Sequence, residues 1–502
     1  MMRSDQPAAR QPKLARRAAS GAIWLALETG LTQVISLLVF AIMARFFAPS
    51  DFGLISITYV AIFSFKSVVI DTVAFAVLRE KDATDIEYDS CFWLSLAFSA
   101  AGALVMLLSA GTVEQMMQAP HLESVMRAMS VIVLFMGLAR THEMRLARSF
   151  RFRTLAIRGI IGTAVGGLVG ILLAILGYGL TSLVVQQIAT SAISLALLWR
   201  ISAWIPSFRV SIQATSSILR FMRGALPGCV LAVISQNCDT LLVAYYFGPT
   251  LVGLYALAKR LRLALQSIAA TPINGVAFPA LAEVQDDQQR LRQAALRMVS
   301  LISFVCAPIF VGSSSLADEI ISMAFGAKWV ATAPIFATFT LGGFFASLQI
   351  FGDTIFALKA KQMWTFYNLL AYVAMAASMF LILSHFGFEN VALPFILPYI
   401  VTLPVSATLV SRLIDVPIRQ WLAAILPSVA SSLLMFGTVT FFDSRLQFLT
   451  VSLRTICLAA FGAAVYFSVM MVLGRKTVVF GLGTLLQLAD RSPAAALEQQ
   501  TQ

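Results

Sequence analysis

Charged residues are scarce in this chain: Asp, Glu, Lys and Arg make up 12% of its 502 residues, whereas 59% are hydrophobic. Soluble domains carry about 25% charged residues. A chain with so few charges has too little polar surface to face water on all sides. The composition therefore predicts a membrane protein.

Cysteine and histidine are also rare, with five and three residues. No two cysteines are spaced as CxxC, and the histidines lie far apart along the chain, so neither a disulfide framework nor a metal site is predicted. The motifs HExxH, GxSxG and the P-loop are absent as well. We expect no catalytic residues, no metal, no cofactor and no enzymatic activity.

Long hydrophobic runs take the place of charge. About fourteen runs reach the roughly 20 apolar residues that a helix needs to cross a bilayer, and none alternates as barrel strands do. They lie near 21–43, 52–77, 91–112, 124–140, 157–177, 180–199, 225–246, 251–277, 294–313, 330–357, 366–384, 390–411, 421–442 and 453–473. The predicted fold is an all-α polytopic membrane protein with about 14 transmembrane helices.

The positive charges indicate the orientation of the chain. Most of the 36 Lys and Arg residues fall in segments, such as 140–158, that are cytoplasmic if the N-terminus is inside. We therefore predict cytoplasmic N- and C-termini in a multi-pass protein of the cell inner membrane. The net charge of +12 is explained by this topology and by anionic lipids, and nucleic acid is not expected as a partner.

A short motif occurs twice: "ARFFAPSDFGL" at 44–54 and "AYYFGPTLVGL" at 244–254. Four positions match between the copies: Phe47 with Phe247, Pro49 with Pro249, Gly53 with Gly253 and Leu54 with Leu254. Pro and Gly are common in membrane turns, so coincidence is one explanation. An internal duplication is the other, and it predicts two six-helix lobes in pseudo-twofold repeat, followed by two C-terminal helices.

The domain boundaries follow from the spans and the repeat. A basic linker that contains Pro206 separates the lobes and could hold a short helix along the inner membrane surface. The predicted segments are a cytoplasmic N-terminal segment (1–20), the N-lobe (21–199), the linker (200–224), the C-lobe (225–411), two further spans (412–473) and a cytoplasmic tail (474–502).

Charges within spans are costly and mark candidate functional residues. The eighth span carries Lys259, Arg260 and Arg262, which a helical wheel turns away from an apolar stripe that would face lipid. Alternatively, Arg260 and Arg262 extend outward to the lipid headgroups. The stripe consists of Leu254, Ala258, Leu261, Leu265 and Ile268.

Two other spans carry charged residues. In the seventh span Asp239 shares a face with small residues and Gln236 lies at its edge, which suits either a cavity wall or close helix packing. In the second span the face that carries Lys66 has no polar stripe on the wheel, and Asp71 lies close enough to the inner surface for either an interfacial or a buried role.

Four stretches of the chain resemble one family, the Wzx-type exopolysaccharide and O-antigen flippases of the multidrug/oligosaccharidyl-lipid/polysaccharide superfamily. The most specific stretch carries Asn-x-Asp, Gly-Pro, Gly-x-Tyr and Ala-x-Arg-Leu. The stretches are "ARFFAPSDFGL" (44–54), "RSFRFRTLA" (148–156), "NCDTLLVAYYFGPTLVGLYALAKRL" (237–261) and "FGAKWVATAPIF" (325–336).

The resemblance implies a transporter with a central cationic cavity that moves lipid-linked oligosaccharide, carried on polyprenyl pyrophosphate, in exchange for H⁺ or Na⁺. Membrane lipids and the polymerase or export machinery are the further partners it implies. Its motif matches Asn237, Asp239, Tyr255 and Arg260. Related peptidoglycan-precursor flippases use arginines in the first helix, where this chain has Glu28 and no arginine.

Together these observations define the predicted site. A cationic groove of Lys66, Lys259, Arg260 and Arg262 binds the substrate. Ion coupling is assigned to Gln236, Asn237, Asp239 and Asp71. Asp239 and Lys259 lie at equal depth on adjacent predicted helices, so they could form either a structural salt bridge or a switch that the substrate opens.

Two rival functions are weighed against this one. A multidrug or cation antiporter of the same superfamily would line its cavity with carboxylates, whereas three of the clearest buried charges here are basic. A membrane polysaccharide polymerase would need a large outside loop to hold catalytic groups, and the predicted outside loops are short.

Overall fold

The computed structural model describes residues 11–80, 83–202, 204–383, 390–446, 448, 450–475 and 477–479. Every regular element in these residues is a helix, which confirms the all-α fold class. The start of the predicted N-terminal segment and nearly all of the predicted tail lie outside the described residues.

The helices of the first half of the chain cover most of its length. They are α1 (Gln11–Phe46), α2 (Pro49–Phe65), α3 (Asp71–Leu78), α4 (Asp85–Met117), α5 (Leu122–Arg148), α6 (Phe152–Ile175), α7 (Leu180–Ser202) and α8 (Ile212–Ala269).

The second half continues in the same way. Its helices are α9 (Thr271–Glu283), α10 (Gln288–Ser315), α11 (Ala317–Phe325), α12 (Ala333–Leu358), α13 (Gln362–Leu383), α14 (Leu397–Ile414), α15 (Ile418–Asp443) and α16 (Val451–Leu473).

Within the described residues, 13 helices are long and apolar enough to cross a membrane. One of them, α8, has 58 residues and is interrupted at Gly248, whose φ of 76° and ψ of 179° are not helical. Pro249 follows, and proline favours the first turn of a new helix because it has no N–H to leave unpaired. Since α8 contains two of the predicted spans, the count agrees with about 14.

In the described part of the predicted linker, residues 212–224 are helical as the start of α8 and do not form a separate short helix. Residues 204–211 are not helical, and Ile212 already begins α8. The non-helical segment is held against α4, where the indole of Trp93 donates to the carbonyl of Ser207 and the Ser207 N–H donates to Asp89. These contacts supply the hydrogen bonds that a helix would otherwise provide.

The eighth predicted span, 251–277, also differs. Helix α8 ends at Ala269 and a separate helix, α9, begins at Thr271. Pro272 lies in the first turn of α9, where proline is tolerated but cannot donate back into the preceding helix.

By its contacts the chain forms two units, Met1–Gly253 and Leu254–Gln502. In the first unit α4 packs on α5, and α6 packs on both α1 and α7. In the second unit α10 packs on α12 and α15, and α15 packs on α16. The second unit contains an extensive core cluster that includes Phe310, Phe351 and Trp421.

The repeated motif forms a reciprocal contact within the first unit. Gly53 lies against the carbonyl of Pro249, and Gly253 lies against the carbonyl of Pro49. A Cβ atom at either glycine would overlap the opposing backbone. The matching Pro and Gly positions therefore have the same structural role in both copies, which favours duplication over coincidence.

The second unit contains an acidic pair held by one arginine. Glu319 of α11 is almost fully buried and accepts from Arg454 of α16 at 2.9 Å, and Arg454 also lies 3.3 Å from Asp443. Burial raises the pKa of Glu319 above its usual 4.5, and the neighbouring Asp443 raises it further.

Candidate functional site

The site in the first unit begins with a local irregularity. Helices α2 and α3 are joined without interruption by a π-helical segment, Lys66–Ile70, and the Asp71 N–H donates to the Lys66 carbonyl five residues earlier. In an α-helix, residues five apart diverge by about 140°. The wider π turn brings them together, so Lys66 Nζ lies 3.0 Å from Asp71 Oδ2.

A second cation reaches Asp71 from α5. Arg140 Nε lies 3.0 Å from Asp71 Oδ1, so one carboxylate is held by both Lys66 and Arg140. Buried carboxylates need such partners, because an unpaired charge in an apolar environment is strongly disfavoured.

The chain of charges continues through Glu143. Its carboxylate accepts from Arg140 Nη1 at 3.1 Å and from Arg158 Nη1 of α6 at 2.7 Å. We call Lys66, Asp71, Arg140, Glu143 and Arg158 the charge network. Its side chains are between 15% and 32% exposed, so they are largely removed from solvent.

A cavity of about 180 Å³ lies beside the charge network, which we call the network cavity. All three cations of the network line it, and so do three hydroxyl groups of α7: Thr190, Ser191 and Ser194. Cations and hydroxyls together suit a ligand that carries phosphate and sugar groups.

Close packing of α6 on α7 positions these hydroxyls. Gly162 lies against the Ser194 hydroxyl and Gly166 lies against Thr190, with no room for a Cβ at either glycine. Small residues allow helix backbones to approach in this way. The glycines of α6 thus bring α7 within reach of Arg158.

Arg158 has two further features. Glu28 of α1 lies close to it, with a carboxylate oxygen beside Gly159. Among the described residues, the buried Nε of Arg158 has no hydrogen-bond acceptor. Arg158 can therefore donate to a ligand oxygen without giving up its bond to Glu143.

Of the residues predicted for the site, Lys66 and Asp71 are brought together. Asp239 is buried in α8 and accepts from both the N–H and the hydroxyl of Thr240. The Asn237 amide donates to the Val233 carbonyl of its own helix, whereas Gln236 is exposed. Their roles in ion coupling stay a prediction.

The three cations predicted on the eighth span belong to the second unit. Lys259, Arg260 and Arg262 are partly buried there, and Arg262 donates to Gln266 at 2.8 Å. Their role in substrate binding is likewise a prediction.

The prediction that one stripe of this span faces lipid is wrong for the first half of the span. Leu254 and Ala258 are buried, whereas Ile268 is 59% exposed. Tyr255 is also buried, against the rings of Phe339 and Phe395. A helical wheel assigns one face to lipid, but the start of this span is covered on several faces.

Sequence reasoning missed Arg140, Glu143 and Arg158 because it placed them in a cytoplasmic segment, 140–158. In the structure α5 runs to Arg148 and α6 begins at Phe152, so all three lie on helices. The i, i+3 spacing of Arg140 and Glu143 was the available signal, since it is typical of a pair on one helix face.

Metal ligands do not assemble in the part of the chain that the structure describes: no three His, Cys, Asp or Glu side chains there could hold a metal ion together.

Comparison with known families identifies the chain. The sequence model of the polysaccharide biosynthesis protein family matches residues 42–334, which is more than half of the chain. The chain belongs to this family. The resemblance found in the sequence motifs is thereby confirmed.

Curated relatives carry related descriptions. The chain is 24% identical to the succinoglycan biosynthesis transport protein ExoT of Rhizobium meliloti (strain 1021), over 63% of this chain and 64% of that protein. It is 22% identical to the teichuronic acid biosynthesis protein TuaB of Bacillus subtilis (strain 168), over 71% of this chain and 74% of that protein. The lipopolysaccharide biosynthesis protein WzxC of Escherichia coli (strain K12) is 20% identical over 67% of this chain and 68% of that protein.

Solved structures show the same fold. The lipid II flippase MurJ in an inward closed conformation superposes with a TM-score of 0.73 at 15% identity, covering 90% of this chain and 99% of that one. An inward-facing multidrug resistance transporter of the MATE family gives a TM-score of 0.59 at 13% identity, covering 76% of this chain and 96% of that one.

Proposed function

We propose that the protein is a flippase that moves polyprenyl-pyrophosphate-linked oligosaccharide repeat units across the cell inner membrane for exopolysaccharide or lipopolysaccharide biosynthesis. The observation that carries the proposal is the network cavity, in which three cations and three hydroxyls meet on apolar helices. The names of the relatives, which include a transport protein for succinoglycan biosynthesis, support the same substrate class.

The physical need for such a cavity is plain. A pyrophosphate with attached sugars cannot cross about 30 Å of hydrocarbon unaided. Lys66, Arg140 and Arg158 would bind the phosphates, and the α7 hydroxyls would bind the sugars. The apolar polyprenyl chain would stay outside the network cavity.

Ion coupling follows from competition within the charge network. Asp71 and Glu143 hold the same cations that the phosphates would bind. Arrival of substrate would therefore release Asp71 or Glu143 from its cationic partners and leave that carboxylate able to bind the coupling ion. Binding of H⁺ or Na⁺ at these carboxylates would in this way be linked to substrate binding, with Asp239 as a further coupling carboxylate.

The proposal includes the orientation and the remaining cations. The N- and C-termini would be cytoplasmic, and Lys259, Arg260 and Arg262 of the second unit would bind substrate at another stage of transport. The protein would act without a catalytic step, in contact with membrane lipids and with the polymerase or export machinery.

A multidrug or cation antiporter is the second candidate, because the fold also matches that class. The composition of the network cavity disfavours it. Among the described residues that line the cavity, three are cations and one, Glu143, is a carboxylate. A binding site for cationic drugs would need the opposite excess of charge.

Complementation of a deletion strain tests the proposal. The strain should accumulate a lipid-linked repeat unit, measured by mass spectrometry of extracted lipids, and the wild-type gene should remove it. Arg158→Ala and Lys66→Ala should still insert into the membrane yet leave the repeat unit accumulated, because each removes a cation from the network cavity.

The matched control is Arg153→Ala, which removes an exposed arginine of the same helix, α6, and should restore export. Asp239→Asn tests the coupling role: wild-type export from this variant would remove Asp239 from the mechanism. Full complementation by both Arg158→Ala and Lys66→Ala would refute substrate binding at the network cavity.

A further inference from the structure

A second and larger concavity lies in the first unit, separate from the network cavity. It has a volume of about 820 Å³ and is lined by residues of α2, α4, α5 and α8, together with Val69 of the π-helical segment. We call it the apolar groove. Among its described lining residues only Ser64, Ser109 and Arg223 have polar side chains.

The lining is adaptable as well as apolar. Methionine is flexible and polarisable, and it is common on surfaces that accommodate ligands of irregular shape. Five methionines line the apolar groove: Met106, Met116, Met117, Met126 and Met222.

The apolar groove is long and has a charge at one end. Along α8 its lining runs from Leu219 to Leu241, about 33 Å at 1.5 Å per residue. Along α4 it runs from Phe98 to Met117, about 28 Å by the same rise. Both lengths match the roughly 30 Å hydrocarbon core of a bilayer. Arg223 lies near the end where α8 begins, and it is exposed.

The apolar groove and the network cavity share one stretch of helix. Phe65 and Val69 line the apolar groove, whereas Lys66 and Ile70 line the network cavity. A single helical segment thus presents an apolar surface to one site and a cation to the other.

We propose that the apolar groove binds the polyprenyl chain of the lipid-linked substrate and that Arg223 binds its phosphate during loading. This inference rests on the proposed function for the identity of the lipid. An anionic lipid with one long chain satisfies both the apolar lining and the terminal cation. The shared helix would keep that chain beside the protein while its head group occupies the network cavity.

Photo-crosslinking tests the groove. The full-length protein in phosphatidylcholine nanodiscs is exposed to a photoactivatable undecaprenyl pyrophosphate, and the labelled fraction is measured. Ala101 lines the apolar groove, whereas its exposed neighbour Ala100 lies outside the described lining. Ala101→Trp should lower labelling about fivefold by filling the groove, and Ala100→Trp should leave it unchanged.

Arg223→Glu tests the terminal cation. It should weaken competition by unlabelled undecaprenyl pyrophosphate about tenfold, the effect of losing a charge-assisted contact. Competition by undecaprenol, which has no phosphate, should not change. The control Arg220→Glu alters another exposed arginine of α8 that lies outside the described lining, and it should behave as wild type.

Three outcomes would overturn the proposal. The first is labelling of Ala101→Trp at the wild-type level. The second is displacement of the probe by an excess of phosphatidylglycerol as effectively as by undecaprenyl pyrophosphate. The third is crosslinking that joins two copies of the chain. Binding is measured here without transport. Normal binding with no flipping by the wild-type protein would refute the proposed function alone, and normal flipping by Ala101→Trp would refute the groove alone.

Discussion

Glu143 joins the α5 and α6 parts of the charge network, because it contacts Arg140 and Arg158 at once. Glu143→Gln keeps the shape of the side chain but removes the charge that Arg140 and Arg158 contact at 3.1 and 2.7 Å. The three side chains are 22%, 22% and 15% exposed, which is intermediate between a surface pair and a fully buried one.

The expected loss of stability lies between the values for those two cases. Exposed ion pairs contribute up to about 1 kcal/mol, and breaking a buried pair costs about 3–5 kcal/mol. We therefore expect Glu143→Gln to destabilise the first unit by about 2 kcal/mol, which corresponds to a fall in melting temperature of about 4–8 °C for a unit of this size.

The assay is thermal unfolding of the purified protein in detergent, followed by fluorescence-detected size exclusion. Glu123→Gln is the matched control, since Glu123 lies on the same helix and pairs with Arg127 at a more exposed position. Its melting temperature should fall by less than about 2 °C.

Equal shifts for the two variants would refute the idea that the charge network stabilises the unit. A double-mutant cycle with Arg158→Gln should give a coupling energy of about 1–3 kcal/mol. A coupling near zero would show that the contact between Glu143 and Arg158 contributes nothing to stability.

Three further predictions concern other parts of the chain. Gly53→Ala should destabilise the protein by about 1–3 kcal/mol, because its Cβ would overlap the carbonyl that Gly53 faces; Gly30→Ala, where a Cβ meets no atom within 4 Å, should not lower the melting temperature. Glu319→Gln should have the same melting temperature as the wild type below pH 4.5 and a higher melting temperature above that pH, with a difference that grows as the pH rises. The reason is that the raised pKa of Glu319 makes the folded protein favour the protonated acid. A difference in melting temperature that does not change with pH would contradict this. In a cysteine-free background, Ser50→Cys should react with an impermeant thiol reagent from outside the cell and Ser149→Cys should not, and reversed labelling would overturn the proposed orientation.

The hydrophobic spans were predictable because a bilayer requires long apolar helices and leaves few alternatives. The repeated motif was visible too, since Pro and Gly are confined to turns and close contacts. Its reciprocal packing was not visible, because a one-dimensional pattern does not show that Gly53 meets Pro249.

The charge network was harder to predict for two reasons. A helical wheel assumes 100° per residue, and the π-helical segment changes that angle between Lys66 and Asp71, so the wheel separated two residues that form an ion pair. The hydropathy pattern also ended the predicted fourth span at Arg140. Charged residues lower the mean hydropathy of the segment that contains them, even when their ion-pair partners lie on a neighbouring helix.

Transport of a polyprenyl-pyrophosphate-linked sugar across a bilayer by means of the network cavity can be measured in vesicles. The most direct measurement uses proteoliposomes that contain the purified protein and a fluorescent undecaprenyl-pyrophosphate-linked sugar, with a membrane-impermeant quencher added outside. The wild-type protein should make lipid from the inner leaflet accessible to the quencher, and Arg158→Ala should not. If wild-type vesicles quench no faster than protein-free vesicles, the protein does not move this lipid, and if Arg158→Ala vesicles quench as fast as wild type, transport does not use the network cavity.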